Sequence, residues 1–408
     1  MSMRMAWRFG SMVVPAMVAL AALCQANPEA AVDKAAESAE TAPVAPAPAA
    51  PAAHVGTWHV REVDGVEYLP LEDLRSFYKL MPMQPKGRKV AGQRTLGNGE
   101  VTLLFGPEPR ELRVQERLCM LSHPVMEDAS GDLLVSKLDV LQLIEPVLRP
   151  TYIANRSAVR TVVIDPAHGG HDTGTVTAYA READVALAVA AKLGAELQKR
   201  GYEVRYTQEQ NQYQSPQARV DKANAAPAAV FISLHLNSGR SDVQGAQTYT
   251  LAPRDKGDKE LPGHEFSQAS MALALALQSS MVEKAATVDG GCRRAHFSLL
   301  NSVRCPSVMV ELGYATHPEE GTRLSTEEYQ IKLAASLADG VDAFARVMNP
   351  GTNLQVQKAP VVTPPPAAPV KVAPAQPKAK PAAPKKAQPR KKAPRRRAPA
   401  RRNKRGRR

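Results

Sequence analysis

The sequence predicts an α/β fold in which helices flank a largely parallel sheet, together with a small α+β N-terminal domain and disordered ends. Between residues 159 and 348, short β-branched strands alternate with amphipathic helical patterns. Residues 54–150 combine hairpin strands with short helical patterns. Residues 27–53 and 349–408 are rich in Ala and Pro and have too few apolar residues to form a folded core.

The first 26 residues have the pattern of a secretory signal peptide. Two arginines precede an apolar stretch that ends at Leu23, and small residues follow it. The stretch is short for a membrane span and contains Pro15, so an uncleaved anchor is disfavoured. Cys24 raises the alternative of a lipoprotein, but Leu23 is larger than the residue that such processing prefers. We therefore expect export to the periplasm or cell envelope without lipidation.

The positive charge of the chain is concentrated at its C-terminal end. The net charge is +13, yet residues 351–408 contain 18 Lys and Arg and no acid, which leaves 35 basic against 40 acidic residues elsewhere. Such a tail attracts polyanions, and in the envelope these are anionic lipid headgroups or acidic polymers. No nucleic acid partner is expected, because the tail is exported and lacks aromatic residues for base stacking. The alternative for the tail is a purely solubilising extension. At the other end of the chain, residues 27–53 are expected to be an inert linker.

Three cysteines remain if the signal peptide is removed, namely Cys119, Cys292 and Cys305. Three thiols cannot all pair within one chain, although Cys292 and Cys305 are close enough in sequence to close a small loop. The pairing stays open at this level, and we expect the protein to be a monomer.

Residues 54–150 predict a small unit without a catalytic constellation. A strand-to-helix pattern at residues 65–78 is repeated at residues 132–141, and strands at 101–105 and 111–114 lie between the two copies. This duplicated layout is similar to stalk domains that resemble the copper amine oxidase N-terminal region and that are often attached to envelope enzymes. The unit is therefore interpreted as a spacing or binding module.

The third unit, residues 159–348, is predicted to alternate strands and helices. Its first helix has apolar residues at every fourth position from Val185 to Leu197. Strands are predicted at 161–164, 202–207, 229–234, 245–251 and 307–311, and helices at 185–197, 216–225, 267–284 and 326–346.

Three residues at the ends of these elements have the chemistry of zinc ligands. His168 follows the first strand, Glu182 begins the first long helix, and His235 ends a later strand. Two imidazoles and one carboxylate suit Zn²⁺ and leave a fourth tetrahedral position for water. Glu311 closes another apolar strand, where a carboxylate is costly to bury unless it has a partner or a chemical task. It is the candidate for taking a proton from water and returning it to a leaving amine.

Each of these residues also has a structural interpretation. His168 could cap a turn, His235 could be a hydrogen-bonded core histidine, and Glu182 could be a first-turn carboxylate favoured by the helix dipole. For Glu311 the competing interpretation is a structural ion pair with Arg293 or Arg294.

Four motifs resemble those of the zinc-dependent N-acetylmuramoyl-L-alanine amidases, and they occur in the family's order. They are Asp165-Pro-Ala-His-Gly-Gly170, Arg181-Glu-Ala-Asp-Val-Ala-Leu187, Ser233-Leu-His-Leu-Asn237 and Val310-Glu-Leu-Gly-Tyr314. The resemblance covers residues 161–344, and it extends to a helix carrying Arg219 and a late strand at residues 297–300. It implies that His168, Glu182 and His235 hold zinc and that Glu311 is catalytic. The implied substrate is peptidoglycan, cut at the amide between the lactyl group of N-acetylmuramic acid and L-alanine of the stem peptide.

Some neighbouring positions differ from the family pattern or leave a role open. Leu236 stands where the family commonly has alanine, and Thr173 stands where it often has proline, which bears on substrate fit. Asn237 is assigned either to substrate positioning or to fixing its loop. His171 is a second imidazole near His168 and is expected to face solvent.

The predicted function is zinc-dependent peptidoglycan amidase activity in cell-wall turnover or septum splitting. The alternatives are a non-catalytic peptidoglycan-binding or polyanion-binding envelope protein and a zinc peptidase that cuts within the stem peptide. Some relatives carry a helix that covers the zinc, but residues 252–266 are short and rich in helix breakers, so no such helix is expected here.

Overall fold

The computed structural model describes residues 58–84, 93–106, 108–226, 229–254 and 260–349. The predicted signal peptide, the linker and nearly all of the basic tail lie outside these residues. The strands are β1 (Arg61–Val63), β2 (Val66–Pro70), β3 (Met81–Pro82), β4 (Arg94–Gly97), β5 (Thr102–Phe105), β6 (Glu111–Val114), β7 (Arg117–Met120), β8 (Met126–Glu127), β9 (Leu133–Ser136), β10 (Thr161–Pro166), β11 (Glu203–Tyr206), β12 (Ala229–Asn237), β13 (Ala246–Leu251), β14 (Asp289–Ala295) and β15 (Ser307–Tyr314). The α-helices are α1 (Leu71–Phe77), α2 (Lys137–Asp139), α3 (Glu145–Leu148), α4 (Glu182–Lys199), α5 (Pro216–Asn224), α6 (Ser267–Lys284), α7 (Ser298–Ser302), α8 (Pro318–Leu324) and α9 (Glu327–Met348). A π-helical turn (Val140–Ile144) joins α2 to α3, and 3₁₀ turns occupy Pro150–Tyr152 and Pro262–Phe266.

Helices flank both faces of the sheet in the C-terminal part of the chain. Val162 and Ile164 of β10 pack into the same apolar cluster as α4, α6 and α9. Val163, between them, points to the other face and packs with Val220 of α5 and Leu300 of α7. This alternation follows from the two-residue period of a strand, and burial on both faces explains why the strand is apolar throughout.

The sheet is mixed, and its parallel character is confined to part of its width. Strands β11, β10, β12 and β15 run parallel in that order, as the alternation of strands and helices predicted. Strand β13 runs antiparallel to β15. The reason is that residues 238–245 join β12 to β13 without a helix, and β15 is parallel to β12. Parallel neighbours need a long crossover to return the chain to the starting edge, and this link is too short to provide one.

The N-terminal unit continues the same sheet. Strands β3 to β7 form an antiparallel meander, and β7 pairs in parallel with β14 through Cys119 and Cys292. A separate sheet with the order β1-β2-β9-β8 contains the two copies of the strand-to-helix pattern, with β2 and β9 antiparallel. All described residues belong to one compact unit. The domain boundary between residues 150 and 159 stays a prediction, and the two parts share hydrogen-bonded backbone.

One local expectation differs from the structure, and one strand was not predicted. Residues 297–300, expected as a late strand, contain the start of the short helix α7 (Ser298–Ser302). A four-residue apolar run suits either element, and packing of Leu299 and Leu300 beside α5 selects the helix here. The strand β14 was not predicted, because its Asp-Gly-Gly start and its two arginines do not form a strand pattern.

The cysteines are not arranged as in the sequence alternative of a small loop closed by Cys292 and Cys305. All three are buried and free, and Cys292 lies opposite Cys119 in the sheet. Cys119 therefore faces Cys292 across the adjacent strands, whereas Cys305 belongs to a different apolar cluster.

Among the described residues, no helix is both long enough and apolar enough to span a membrane. Within residues 252–266, the described part contains a single 3₁₀ turn. Residues 255–259 lie outside the described part, so the expectation that no helix covers the site stays a prediction.

Candidate metal centre

Three adjacent parallel strands bring the candidate residues to one edge of the sheet. The strands β10, β12 and β15 are neighbours in that order, and His235 of β12 lies opposite Glu311 of β15. His168 follows the end of β10 by two residues, and Glu182 is the first residue of α4. Polar residues at the carboxyl ends of parallel strands converge in this way in open α/β sheets.

His168, Glu182 and His235 form a compact cluster. One ligand-type atom from each lies within 4.8 Å of the others. The Nε2 atom of His168 and the Nδ1 atom of His235 are each 3.1 Å from Oε1 of Glu182. The two imidazole rings are nearly perpendicular, with centroids 5.3 Å apart. The structure thus brings together the three residues that the sequence predicted as ligands.

The loop that carries His168 is fixed by a buried ion pair. Asp165 is completely buried and accepts hydrogen bonds from Nη1 of Arg219 at 2.7 Å and from the hydroxyl of Ser233 at 2.6 Å. Arg219 also donates to the carbonyl oxygens of Pro166 and His168, both at 2.6 Å. His168 itself has a positive φ of 59°, which an L-residue adopts at a cost that its surroundings must offset. Asp165 and Arg219 therefore hold the histidine in a conformation that it would not adopt freely.

Further hydrogen bonds orient the side chains of the cluster. Oδ2 of Asp172 lies 2.9 Å from Nδ1 of His168, which leaves Nε2 of that ring directed at Glu182. The Glu182 carboxylate accepts the backbone N–H groups of Thr175 at 2.8 Å and Leu236 at 3.1 Å. Carboxylates that orient a metal-binding histidine are a common feature of metal sites. The sequence analysis assigned no role to Asp172, although its position four residues after His168 could have indicated this contact.

The close contacts in the cluster shift its ionisation. The hydrogen bond with Glu182 raises the pKa of His168 to about 9, although burial opposes the shift and Asp172 adds to it. Burial acts to raise the pKa of Glu182, but the hydrogen bonds from His168 and His235 overcome it and hold that pKa well below its usual range. The carboxylate is therefore ionised at neutral pH, as a metal ligand must be.

Glu311 carries a largely buried carboxyl group that forms no ion pair with any described residue. Burial raises the pKa of Glu311 to about 7, with His235 opposing the shift and Glu182 adding to it. Its Oε2 atom and the Nε2 atom of His235 are buried and have no hydrogen-bond partner in the described part of the chain. The competing interpretation of a structural ion pair is wrong for Arg294, which binds Asp139. Nor does Arg293 form an ion pair with Glu311 or with any other described residue.

Asn237 is held by neighbouring polar groups. Its Nδ2 donates to Oε1 of Gln247 at 2.9 Å, and its Oδ1 accepts the backbone N–H of Ser238 at 2.9 Å. Gln247 also binds the hydroxyl groups of Tyr249 at 2.7 Å and Tyr314 at 3.2 Å. These contacts favour the loop-fixing alternative for Asn237, and a role in substrate binding stays a prediction. Gln247 was missed because its position opposite Glu311 depends on the antiparallel pairing of β13.

His171 lies outside the cluster. Its side chain is exposed and packs against Tyr213, with ring centroids 4.3 Å apart. The expectation that this second imidazole faces solvent is confirmed.

The donor set fits a zinc ion. Two ligand atoms that each lie about 2.0–2.1 Å from zinc at a tetrahedral angle are about 3.3 Å apart. The two nitrogen-to-oxygen separations in the cluster are 3.1 Å. Nitrogen and carboxylate ligands of this kind are those of hydrolytic zinc sites with an open coordination position.

A family model described as N-acetylmuramoyl-L-alanine amidase matches residues 162–343. The uncharacterized protein YqiI of Bacillus subtilis (strain 168) is 32% identical over 185 residues, which cover 45% of this chain and 84% of that protein. This chain belongs to the N-acetylmuramoyl-L-alanine amidase family.

Other amidases are similar to a comparable share of the chain. The N-acetylmuramoyl-L-alanine amidase LytC of Bacillus subtilis (strain 168) is 28% identical over 187 residues, and the match spans 46% of this chain but only 36% of LytC. The crystal structure of an N-acetylmuramoyl-L-alanine amidase from Clostridium difficile 630 has 30% sequence identity and a TM-score of 0.41. That comparison covers 46% of this chain and 97% of the other. The N-terminal unit and the basic tail lie outside the residues matched by the family model.

Proposed function

We propose that the protein is a zinc-dependent amidase of peptidoglycan that acts in cell-wall turnover or septum splitting. Its substrate bond is the amide between the lactyl group of N-acetylmuramic acid and L-alanine of the stem peptide. The observation that carries the proposal is the cluster of His168, Glu182 and His235 beside Glu311, whose largely buried carboxyl group has no ion-pair partner among the described residues. Membership of the amidase family supports the choice of bond.

The ligands of the zinc ion are His168, Glu182 and His235 in this proposal. A zinc ion held there supplies a Lewis acid that makes water nucleophilic at neutral pH and polarises the substrate carbonyl. Asp172 keeps the ring of His168 oriented through Nδ1, and the backbone N–H groups of Thr175 and Leu236 keep the Glu182 carboxylate in place. The ligands are thereby held in position before substrate arrives, which is what a precise metal site requires.

Glu311 transfers the proton of the reaction. Its carboxylate takes a proton from the attacking water, the hydroxyl oxygen adds to the lactyl carbonyl carbon, and the carbon–nitrogen bond breaks. The same carboxyl group then gives its proton to the departing nitrogen of L-alanine. The reaction consumes one water and yields a free carboxylic acid and a free amine. No ion pair holds Glu311 among the described residues, so its carboxylate is available for this exchange.

The segments outside the described residues complete the proposal. The protein is exported to the periplasm or cell envelope by residues 1–26, and the basic residues 351–408 hold it near anionic envelope polymers or lipid headgroups. A zinc peptidase that cuts within the stem peptide uses the same metal chemistry and is distinguished by its products.

The test is digestion of purified peptidoglycan by the full-length protein, with the products analysed by mass. We expect free stem peptides that begin with L-alanine from the zinc-loaded protein and none after chelation. Glu311→Gln should bind zinc normally and lose activity by about 10²- to 10⁴-fold, since it removes only the proton transfer. The matched control is Glu328→Gln, which makes the same change at an exposed position paired with Lys332. Fragments cut inside the peptide, or full activity of Glu311→Gln, would contradict the proposal.

A further inference from the structure

A cavity with a volume of about 360 Å³ lies at the junction between the N-terminal unit and the sheet of the amidase part. Its lining comes from both parts of the chain. Arg110 and His123 belong to the N-terminal unit, whereas Tyr249, Arg293, Arg294 and His296 belong to the amidase part. Three guanidinium groups and two imidazoles around one cavity are a set of donors suited to an anionic ligand.

Two of the three arginines in this cavity, Arg110 and Arg293, have no acidic partner among the described residues. Arg294 forms an ion pair with the completely buried Asp139, and its side chain is only 6% exposed. Its second terminal nitrogen, Nη2, is buried and has no hydrogen-bond partner among the described residues. Arg110 donates to the carbonyl oxygen of Ser122, and Arg293 donates through Nε to the carbonyl oxygen of Gly290 at 3.0 Å. Neither of these two arginines forms an ion pair within the described ranges, so donor capacity remains on three side chains.

The cavity is close to the proposed reaction centre. Tyr249 lines it, and the hydroxyl group of Tyr249 donates to Gln247, the residue opposite Glu311 in the sheet. Arg293 lies opposite Tyr249 on the next strand. Arg293 therefore lies two strands away from Glu311, at about 4.8 Å per strand, and two residues along the strand direction, at about 3.3 Å per residue. Their backbones are roughly 12 Å apart. A long arginine side chain shortens this gap, and two or three extended peptide residues at about 3.5 Å each span the remainder.

We propose that this cavity binds a free carboxylate of the stem peptide during amide hydrolysis, with Arg293 and Arg110 as the main contacts and Arg294 as the buried base of the site. The inference rests on the proposed amidase function, because it identifies the anion as part of that substrate. Bidentate hydrogen bonds from guanidinium groups suit a carboxylate in both charge and shape. The N-terminal unit then takes part in substrate selection, since Arg110 and His123 come from it.

The experiment uses the zinc-loaded full-length protein and two soluble N-acetylmuramoyl tripeptides. The peptide carboxyl groups are all free in one substrate and all amidated in the other. For the unaltered protein we expect kcat/KM to be about ten- to hundredfold higher with the free carboxylates, which is the usual value of a charged hydrogen bond. Arg293→Gln should lower kcat/KM for the free form by a similar factor and leave that for the amidated form nearly unchanged. Arg110→Gln changes the opposite wall and should act in the same way.

The matched control is Arg304→Gln, which removes the same charge from an exposed side chain just before β15, at the other end of that strand from Glu311. It should behave as the unaltered protein does. If Arg293→Gln lowers kcat/KM equally for both tripeptides, or for neither, the carboxylate site is refuted.

A binding measurement separates this inference from the amidase proposal. The isolated stem tripeptide is titrated into zinc-free protein by calorimetry, which requires no turnover. We expect binding that weakens in Arg293→Gln and in the amidated peptide. If neither substrate is cut but the peptide binds in this manner, the proposed function fails and the carboxylate site stands. If inorganic phosphate binds while the free and amidated peptides do not differ, the cavity is a phosphate site and the inference is overturned.

Discussion

Gly174 offers a sharp test of the metal centre, because a single added methyl group reaches two of the three proposed ligands. A Cβ atom at Gly174 would lie 2.4 Å from Cδ2 of His168 and 2.6 Å from Oε2 of Glu182. Carbon atoms in contact are normally about 3.5–4.0 Å apart, so the imidazole or the backbone must move by about 1 Å. Metal–ligand distances tolerate only about 0.2 Å. We therefore predict that Gly174→Ala weakens zinc binding by about ten- to hundredfold.

The positive φ of Gly174, 59°, adds a backbone penalty that must be separated from the contact with the ligands. Gly65→Ala provides this control, since Gly65 has a φ of 78° and a Cβ atom there would have no neighbour within 4 Å. Each substitution should cost about 1–2 kcal/mol from the left-handed conformation alone. Unfolding of the metal-free proteins in urea measures this common penalty, and competition with a chromophoric chelator measures zinc affinity. If Gly174→Ala binds zinc as tightly as Gly65→Ala does, the proposed ligand geometry is refuted.

Four further predictions concern the ionisable and redox-active groups. In the metal-free protein, the raised pKa of His168 contributes stability that is fully present below pH 6.5 and is lost as the pH rises through about 9. The free energy of unfolding should therefore fall between these pH values. The fall should be smaller in His168→Asn. Zinc must displace the same proton, so its apparent affinity, measured by chelator competition, should rise with pH over that range, and a flat profile would exclude His168 as a ligand. Asp165→Asn leaves the buried guanidinium of Arg219 without its counter-charge and should lower the free energy of unfolding by about 3–5 kcal/mol. If urea unfolding shows a loss under 1 kcal/mol, the ion pair does not hold the loop. A disulfide oxidant such as oxidised glutathione should accept the electrons of Cys119 and Cys292, which are opposite residues on adjacent strands, and peptide mapping should find that crosslink rather than one to Cys305.

The order of the four motifs along the chain predicted much of the candidate metal centre. Each motif combines a short apolar strand or a helix start with one ligand-type residue, and parallel strands place their carboxyl ends at a common edge. The sequence therefore suffices to assign His168, His235 and Glu311 to one candidate site, because β10, β12 and β15 are each built from local patterns.

Tertiary pairing decided what those local patterns cannot encode. The reversal of β13, the joining of β7 to β14 and the contact of Cys119 with Cys292 depend on residues far apart in the sequence. The same pairings place Gln247 opposite Glu311 and direct Arg294 to Asp139 of the N-terminal unit. Periodicity reports which face of an element is apolar, but it does not report which element covers that face. The sequence alone thus determined the chemistry of the candidate ligands. The shared sheet and the basic cavity beside it required the folded structure, because both arise where two separately encoded units meet.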